Sequence, residues 1–157
     1  MIDEIRKKLA GTNIDDRSLI STDYFNHYNE VIMMFNMLPD MPELLDDIDK
    51  WDFKTYREHF AESGLSFGPL AIEAYEYAPI NLRENFEKIA VQMAMLIVKA
   101  RVKLRYILEA GDMRQFASLA QQSSMQLQTM AESGGAVVHG YDGGEGSTAQ
   151  NVIDAMF

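Results

Sequence analysis

The stretch LRENFEKIAVQMAMLIVKARVKLRYI, residues 82–107, decides the fold. Its large apolar residues recur every three or four positions, which is the period of an amphipathic α-helix. The recurring set is Leu82, Phe86, Ile89, Met93, Leu96, Ala100, Leu104 and Ile107. The stretch therefore predicts one long helix with an apolar stripe that other parts of the molecule must cover.

A second long helix is predicted directly after a short break at Gly111 and Asp112. Glycine commonly ends a helix and aspartate commonly caps the next one. The same spacing then resumes at Met113, Phe116, Ala120, Ser123, Leu127 and Met130. Because the connection is so short, we expect the two helices to fold back on each other as an antiparallel hairpin.

Shorter helices are predicted upstream, and no run of alternating β-branched residues indicates a strand. They are expected over Ile2–Ala10, from Ser21 or Thr22 to Leu38, over about 41–51, over Phe53–Ser63 and over Pro69–Tyr77. The predicted fold is all-α, a helical bundle built on the long antiparallel hairpin, with shorter N-terminal helices and a flexible C-terminal tail. Either these helices or a second copy of the chain must cover the hairpin, so a homodimer is one candidate assembly.

Composition excludes several classes of function. The chain of 157 residues has no cysteine, which excludes disulfides, thiolate catalysis and cysteine-ligated metals. Its formal net charge of −10 argues against nucleic-acid binding, because phosphates attract lysine and arginine. The N-terminal residues lack the apolar core of a signal peptide, and no apolar run is long enough to span a membrane. We therefore expect a cytoplasmic protein.

The basic residues are unevenly distributed. All 14 lysines and arginines lie at or before Arg114, and four of them fall within residues 99–105. These four, here called the basic band, are Lys99, Arg101, Lys103 and Arg105. The band is a candidate surface for an acidic patch or a phospho-acceptor site on a protein partner. The alternative is a solvated face that neutralises the protein's own acids.

The C-terminal composition predicts three segments: a helical domain over 1–133, a Gly-rich flexible linker over 134–149 and a recognition helix over 150–157. If the last segment is helical, its apolar residues share one side while Asp154 faces away. Those residues are Val152, Ile153, Met156 and Phe157. This is the pattern of a helix that docks in a groove, either on a partner or on its own domain.

The last nine residues, AQNVIDAMF, resemble the short peptide by which flagellar switch proteins bind the phosphorylated chemotaxis response regulator. The positions that match are Gln150, Ile153, Asp154 and Ala155, and Met156 and Phe157 replace a pair of leucines. Val152 stands where that pattern has an acid, and Ala149 where it has serine. The resemblance implies that the tail binds a receiver domain.

The predicted layout is also similar to that of the chemotaxis phosphatases, which have a long helical hairpin, a linker and a C-terminal regulator-binding helix. That family places an acidic residue one helical turn before a catalytic glutamine. In this chain Gln92 follows Lys88, Gln122 follows Ser118 and Gln126 follows Gln122 at that distance. The resemblance therefore extends to regulator binding and does not extend to phosphatase catalysis.

A polar stripe on the second predicted helix gives a different hypothesis. Asp23, Asn26, His27 and Glu30 share one helix face, and a second His–x–x–Glu pair occurs at His59 and Glu62. Helical bundles that bind two metals use histidines and carboxylates three residues apart on facing helices. A divalent metal held by Asp23, His27, Glu30, His59 and Glu62 is thus one candidate. The alternative is that His27 forms hydrogen bonds at the polar edge of the core.

Three functions are compatible with the sequence. The leading one is a non-enzymatic regulatory or interaction protein whose C-terminal peptide docks on a partner. The second is a metal-binding helical bundle, and no other cofactor is expected. The third is an oligomeric structural protein whose tail folds back.

Overall fold

The computed structural model describes residues 1–140 and 152–157, and within these ranges the fold is all-α. Its helices are α1 (Ile2–Lys8), α2 (Asn26–Met37), α3 (Leu45–Ile48), α4 (Tyr56–Glu62), α5 (Gly68–Tyr75), α6 (Ile80–Ala110), α7 (Met113–Val138) and α8 (152–156). Two 3₁₀ turns, Thr22–Phe25 and Pro42–Leu44, lead into α2 and α3. The described residues form no strand, and their extended pairing is limited to one isolated bridge between Ile14 and Ser21. The predicted fold class is confirmed.

The predicted hairpin is formed by α6 and α7, which make the most extensive contact in the molecule. Gly111 ends α6 in the left-handed conformation, with φ 79°, a region that glycine adopts without steric cost. The Asp112 side chain then accepts a hydrogen bond of 3.1 Å from the Gln115 amide. The two residues that predicted the break therefore produce it.

The N-terminal half of the chain covers the hairpin. Helix α2 packs on α7, and the Tyr28 hydroxyl donates a 2.7 Å hydrogen bond to the Ala90 carbonyl on α6. The Ser124 hydroxyl on α7 donates to the Ile32 carbonyl on α2 at 3.4 Å. The N-terminal part of the chain therefore covers part of the apolar stripe of the hairpin. This was one of the two expected coverings, the other being a second copy of the chain.

Helix α7 corrects the predicted domain boundary. The linker was expected to begin at residue 134, but α7 continues to Val138. Gly134 lies directly against the ring of Phe25, where a Cβ would come within 2.2 Å of the ring. This glycine is therefore a close-packing position inside a helix and does not open a linker. The rest of the predicted linker, 141–149, lies outside the described residues.

Smaller differences concern the short helices. The predicted helix over 41–51 is a 3₁₀ turn followed by the four-residue α3, and α4 begins at Tyr56 rather than Phe53. Helix α4 starts late because Thr55 and Glu58 form a reciprocal capping box at that point. No helix in 1–140 or 152–157 is long and apolar enough to cross a membrane.

Candidate functional site

The C-terminal helix α8 lies against its own domain. Ile153 is completely buried, and Met156 packs partly buried against the core. Lys103 on α6 donates a 3.3 Å hydrogen bond to the Met156 carbonyl, and its ammonium group lies 5.7 Å from the centre of the Phe157 ring. The predicted apolar side of the tail thus faces inward, and Asp154 is exposed.

The other predicted tail positions differ in exposure. Val152 is half-buried, whereas Phe157 remains 38% exposed. Gln150, which the resemblance assigned to partner binding, lies outside the described residues. Of the predicted apolar anchors, Ile153 and Met156 therefore make contacts within the chain, whereas Phe157 remains largely accessible.

The basic band divides into two kinds of residue. Arg101 donates to the carbonyls of Trp51 and Ile48, at 2.7 and 3.2 Å, just after α3. Arg105 pairs with Asp46 and Asp49, at 2.9 and 2.6 Å.

Lys99 and Lys103 are exposed, and Lys103 holds α8. The two arginines therefore attach the α3 region to α6, whereas the charges of the two lysines are accessible to solvent.

The two histidines of these pairs come together, one from α2 and one from α4. The imidazole rings of His27 and His59 lie 6.4 Å apart, centre to centre. Their acidic companions do not join them: Glu62 pairs with Lys54 at 2.8 Å, and Asp23 accepts from the Asn13 side chain at 2.7 Å. Among residues 1–140 and 152–157, no group of three histidine or acidic side chains is placed to hold a metal ion.

His27 has clear intramolecular contacts. Its ring stacks on Trp51 at 4.8 Å, and its Nε2 forms a short hydrogen bond with the Asp52 carbonyl. The Trp51 indole in turn donates to the His27 carbonyl at 2.9 Å. These contacts attach the segment after α3 to the first turn of α2. The arrangement corresponds to the alternative to metal binding, in which His27 forms hydrogen bonds at the polar edge of the core.

Both imidazoles favour the neutral form. Burial lowers the pKa of His27 below its ordinary value of 6.5, and the nearby Lys54 contributes to the decrease. Burial also lowers the pKa of His59, with further contributions from His27 and Lys54. The Nε2 atom of His59 is buried and has no hydrogen-bond partner within the described part of the chain.

An aromatic cleft next to the histidines was not predicted. It has a volume of about 470 Å³ and lies between the start of α4, the end of α5 and the first half of α6. The rings of Tyr56 and Tyr75 stack at 4.0 Å on one wall, and the Tyr75 hydroxyl donates to Glu87 at 2.6 Å. No local motif marks this cleft, because its walls come from several separate segments, which include Tyr24 and Phe53 as well as α4, α5 and α6.

The outward face of α6 is the second surface that the sequence analysis missed. Five large side chains, all exposed, follow one another along it: Val91, Met95, Val98, Val102 and Tyr106. Their spacings of four, three, four and four residues were visible in the sequence. This row does not stand out in the sequence, because the longer apolar stripe on the opposite side of α6 is enough to explain why the helix is amphipathic.

Comparisons with protein-family models, with curated proteins and with solved structures found no match for this chain.

Proposed function

We propose that this is a cytoplasmic, non-enzymatic interaction protein whose C-terminal helix α8 exchanges between its own domain and a protein partner. The observation that carries the proposal is that α8 is docked on its own domain, with Ile153 buried in the core and Lys103 of α6 bonded to Met156. The helix presents a ready-made apolar anchor, and the segment 141–151 separates it in sequence from α7. In the docked state the helix is shielded, and in the released state it is available to a partner.

The docking contact is small enough to be reversible. Complete burial of one isoleucine side chain contributes roughly 1.5–3 kcal/mol, and the hydrogen bond and ring contact of Lys103 add up to about 1 kcal/mol. Ordering the terminal residues costs a comparable free energy. A partner that offers a larger groove can therefore compete with the intramolecular site, even though tethering favours the latter.

The resemblance of AQNVIDAMF to a regulator-binding peptide supports a receiver domain as the partner. The isoleucine of that pattern is Ile153, which is the most completely buried residue of α8. The accessible charge of Lys99, one helical turn before Lys103, provides a second contact for the acidic phospho-acceptor surface of a receiver.

The test is a titration of the synthetic peptide 149–157 and of the full chain into receiver domains, with and without a phosphoryl mimic. We expect the peptide to bind more tightly than the full chain, because α8 is partly sequestered in the latter. Ile153→Ala should weaken binding at least about tenfold, in line with the burial that it removes. If the peptide binds no receiver in either state, this partner assignment is wrong.

A variant of the helical domain distinguishes exchange of α8 between two sites from a change in the affinity of the tail itself. Lys103→Ala removes the hydrogen bond to Met156 and the contact with Phe157 but leaves the tail sequence unchanged. We expect it to raise the affinity of the full chain towards that of the peptide. Lys7→Ala, on the exposed side of α1, is the control for a lost lysine charge.

The folded-back position of α8 also favours a second function, in which α8 permanently completes its own domain. In that case Lys103→Ala would not increase partner affinity. Deletion of 152–157 would instead lower the free energy of unfolding substantially, because it would expose the surface beneath Ile153.

A further inference from the structure

The outward face of α6 is apolar although the opposite face of the same helix already forms the core. Val102 and Tyr106 are 66% and 74% exposed, and Val91, Met95 and Val98 are between 36% and 47% exposed. Met93, Leu96 and Ala100, on the other side, are completely buried. A helix that is apolar on two opposite faces is covered on both in the working protein.

The exposed row is continuous along α6. It runs from Val91 to Tyr106, about 22 Å at roughly 1.5 Å per residue. Phe53, itself 42% exposed, borders it and forms with Val91, Met95 and Val98 the wall of a groove of about 410 Å³. Contiguous apolar patches of this kind usually mark an interaction site.

The spacing of the row is self-complementary. Its midpoint falls between Val98 and Lys99, and beyond this central pair equal distances in the two directions reach large apolar side chains. Met95 and Val102 form one such pair, and Val91 and Tyr106 form the next. An antiparallel copy of α6 related by a two-fold axis at this midpoint therefore places Met95 opposite Val102, and Val91 opposite Tyr106.

The charges beyond the row follow the same symmetry. Lys88 and Glu109 are both exposed, and they are equally far from the midpoint. In the antiparallel arrangement Lys88 of each copy lies opposite Glu109 of the other, which gives two interhelical ion pairs. A parallel arrangement would instead place lysine against lysine and glutamate against glutamate, so the charges select the antiparallel one.

We propose that the outward face of α6 binds a second copy of this chain, forming a two-fold symmetric dimer through an antiparallel pair of α6 helices. Lys103, which contacts α8, does not belong to the row: at about 100° per residue it points to a different side of α6 from its neighbour Val102. Small interfaces are weak, so we expect the dimer to dissociate on dilution. Replacing one apolar residue of the row by a charged residue should also prevent its formation, because the charge would be buried without a partner.

Sedimentation of the full chain over a range of concentrations tests the proposal. Wild-type protein should be dimeric at the highest concentrations, and Val102→Glu should be monomeric at all of them. Met125→Glu, on the outer side of α7, is the matched control, since Met125 is 68% exposed and Val102 66%. A monomeric wild-type protein, or equal behaviour of the two variants, would overturn the dimer and assign the face to a different occupant.

The absence of cysteine allows the register to be tested by cross-linking. Val98→Cys should form a disulfide-linked dimer on oxidation, because the two Val98 positions meet near the axis. Val91→Cys should cross-link when mixed with Tyr106→Cys, and neither variant should cross-link alone. Efficient cross-linking of Val91→Cys with itself would show a parallel arrangement and would contradict the proposal.

A charge exchange provides an independent test. Lys88→Glu and Glu109→Lys should each weaken the dimer several-fold, because each places like charges opposite one another. The double variant restores opposite charges and should recover the wild-type dissociation constant. If the two effects simply add, the predicted ion pair does not form. Ile153→Ala should leave the dimer intact, so failure of the proposed tail function and failure of this dimer are distinguishable.

Discussion

His27 and His59 lie with their imidazole rings 6.4 Å apart, in a setting that disfavours a proton on either. The two residues come from α2 and α4, and the segment that contains Trp51 and Asp52 packs against His27. Protonation of both rings would place two positive charges close together, beside Lys54. The pair therefore links the stability of this part of the molecule to pH.

We predict that the protein loses stability as the pH falls below about 6.5. Both folded-state pKa values are lowered, so the unfolded chain takes up protons first and unfolding becomes more favourable as the pH decreases. Above the ordinary pKa of 6.5 the contribution of the pair to stability is fully present. Urea unfolding at about pH 7.5 and about pH 5.5 measures the difference.

His59→Gln should reduce this pH dependence, because it removes one of the two groups that cannot be protonated without cost. His139→Gln is the control, since His139 is exposed at the end of α7 and lies 3.2 Å from Asp15. It should leave the acid-induced loss of stability in place. A wild-type free energy of unfolding that does not change between the two pH values would contradict the prediction.

Gly134 and Gly135 should respond in opposite directions to the same substitution. Gly134→Ala places a methyl group 2.2 Å from the Phe25 ring, and overpacking of this kind costs about 1–3 kcal/mol. A Cβ at Gly135 meets no neighbouring atom, so Gly135→Ala should stabilise α7 by up to about 1 kcal/mol through helix propensity. Thermal unfolding of both variants checks the pair, and a neutral Gly134→Ala would refute the close approach.

Tyr56→Phe should destabilise the fold although it removes only one oxygen atom. The Tyr56 hydroxyl accepts a 2.9 Å hydrogen bond from the buried Ser21 amide. Without it that amide is left unsatisfied, at a cost of about 1–3 kcal/mol. Tyr106→Phe is the matched control, because Tyr106 is 74% exposed. Chemical denaturation that gives the same free energy for both variants would show that the hydrogen bond contributes nothing.

Arg101 and Lys99 should differ in their effects on stability although they belong to the same basic band. Arg101→Ala removes charge-assisted hydrogen bonds to the Trp51 and Ile48 carbonyls, and each bond of this kind contributes roughly 1.5–3 kcal/mol. Lys99→Ala removes an exposed side chain and should change the free energy of unfolding by less than about 0.5 kcal/mol. Equal effects of the two variants would mean that Arg101 does not anchor the α3 region.

The sequence by itself determined the hairpin. The period of its apolar residues, together with Gly111 and Asp112, specified two long helices and the turn between them, because these signals act within one or two helical turns. The arrangement of Ile153 and Met156 on one side of α8 was also predictable, since it follows from helical geometry alone, but the surface that this side contacts was not.

Only the tertiary structure decided what the polar residues do. The four residues of the basic band form one cluster in the sequence. In the structure Arg101 and Arg105 contact the distant region around α3, whereas Lys99 remains exposed. The rings of His27 and His59 lie close together, but Glu62 pairs with Lys54 and Asp23 accepts a hydrogen bond from Asn13. Gly134 belongs to a Gly-rich segment that is typical of a linker. It nevertheless lies inside α7, where it packs closely against Phe25. In each case the deciding contact joins residues far apart in the chain, and local patterns carry no information about such contacts.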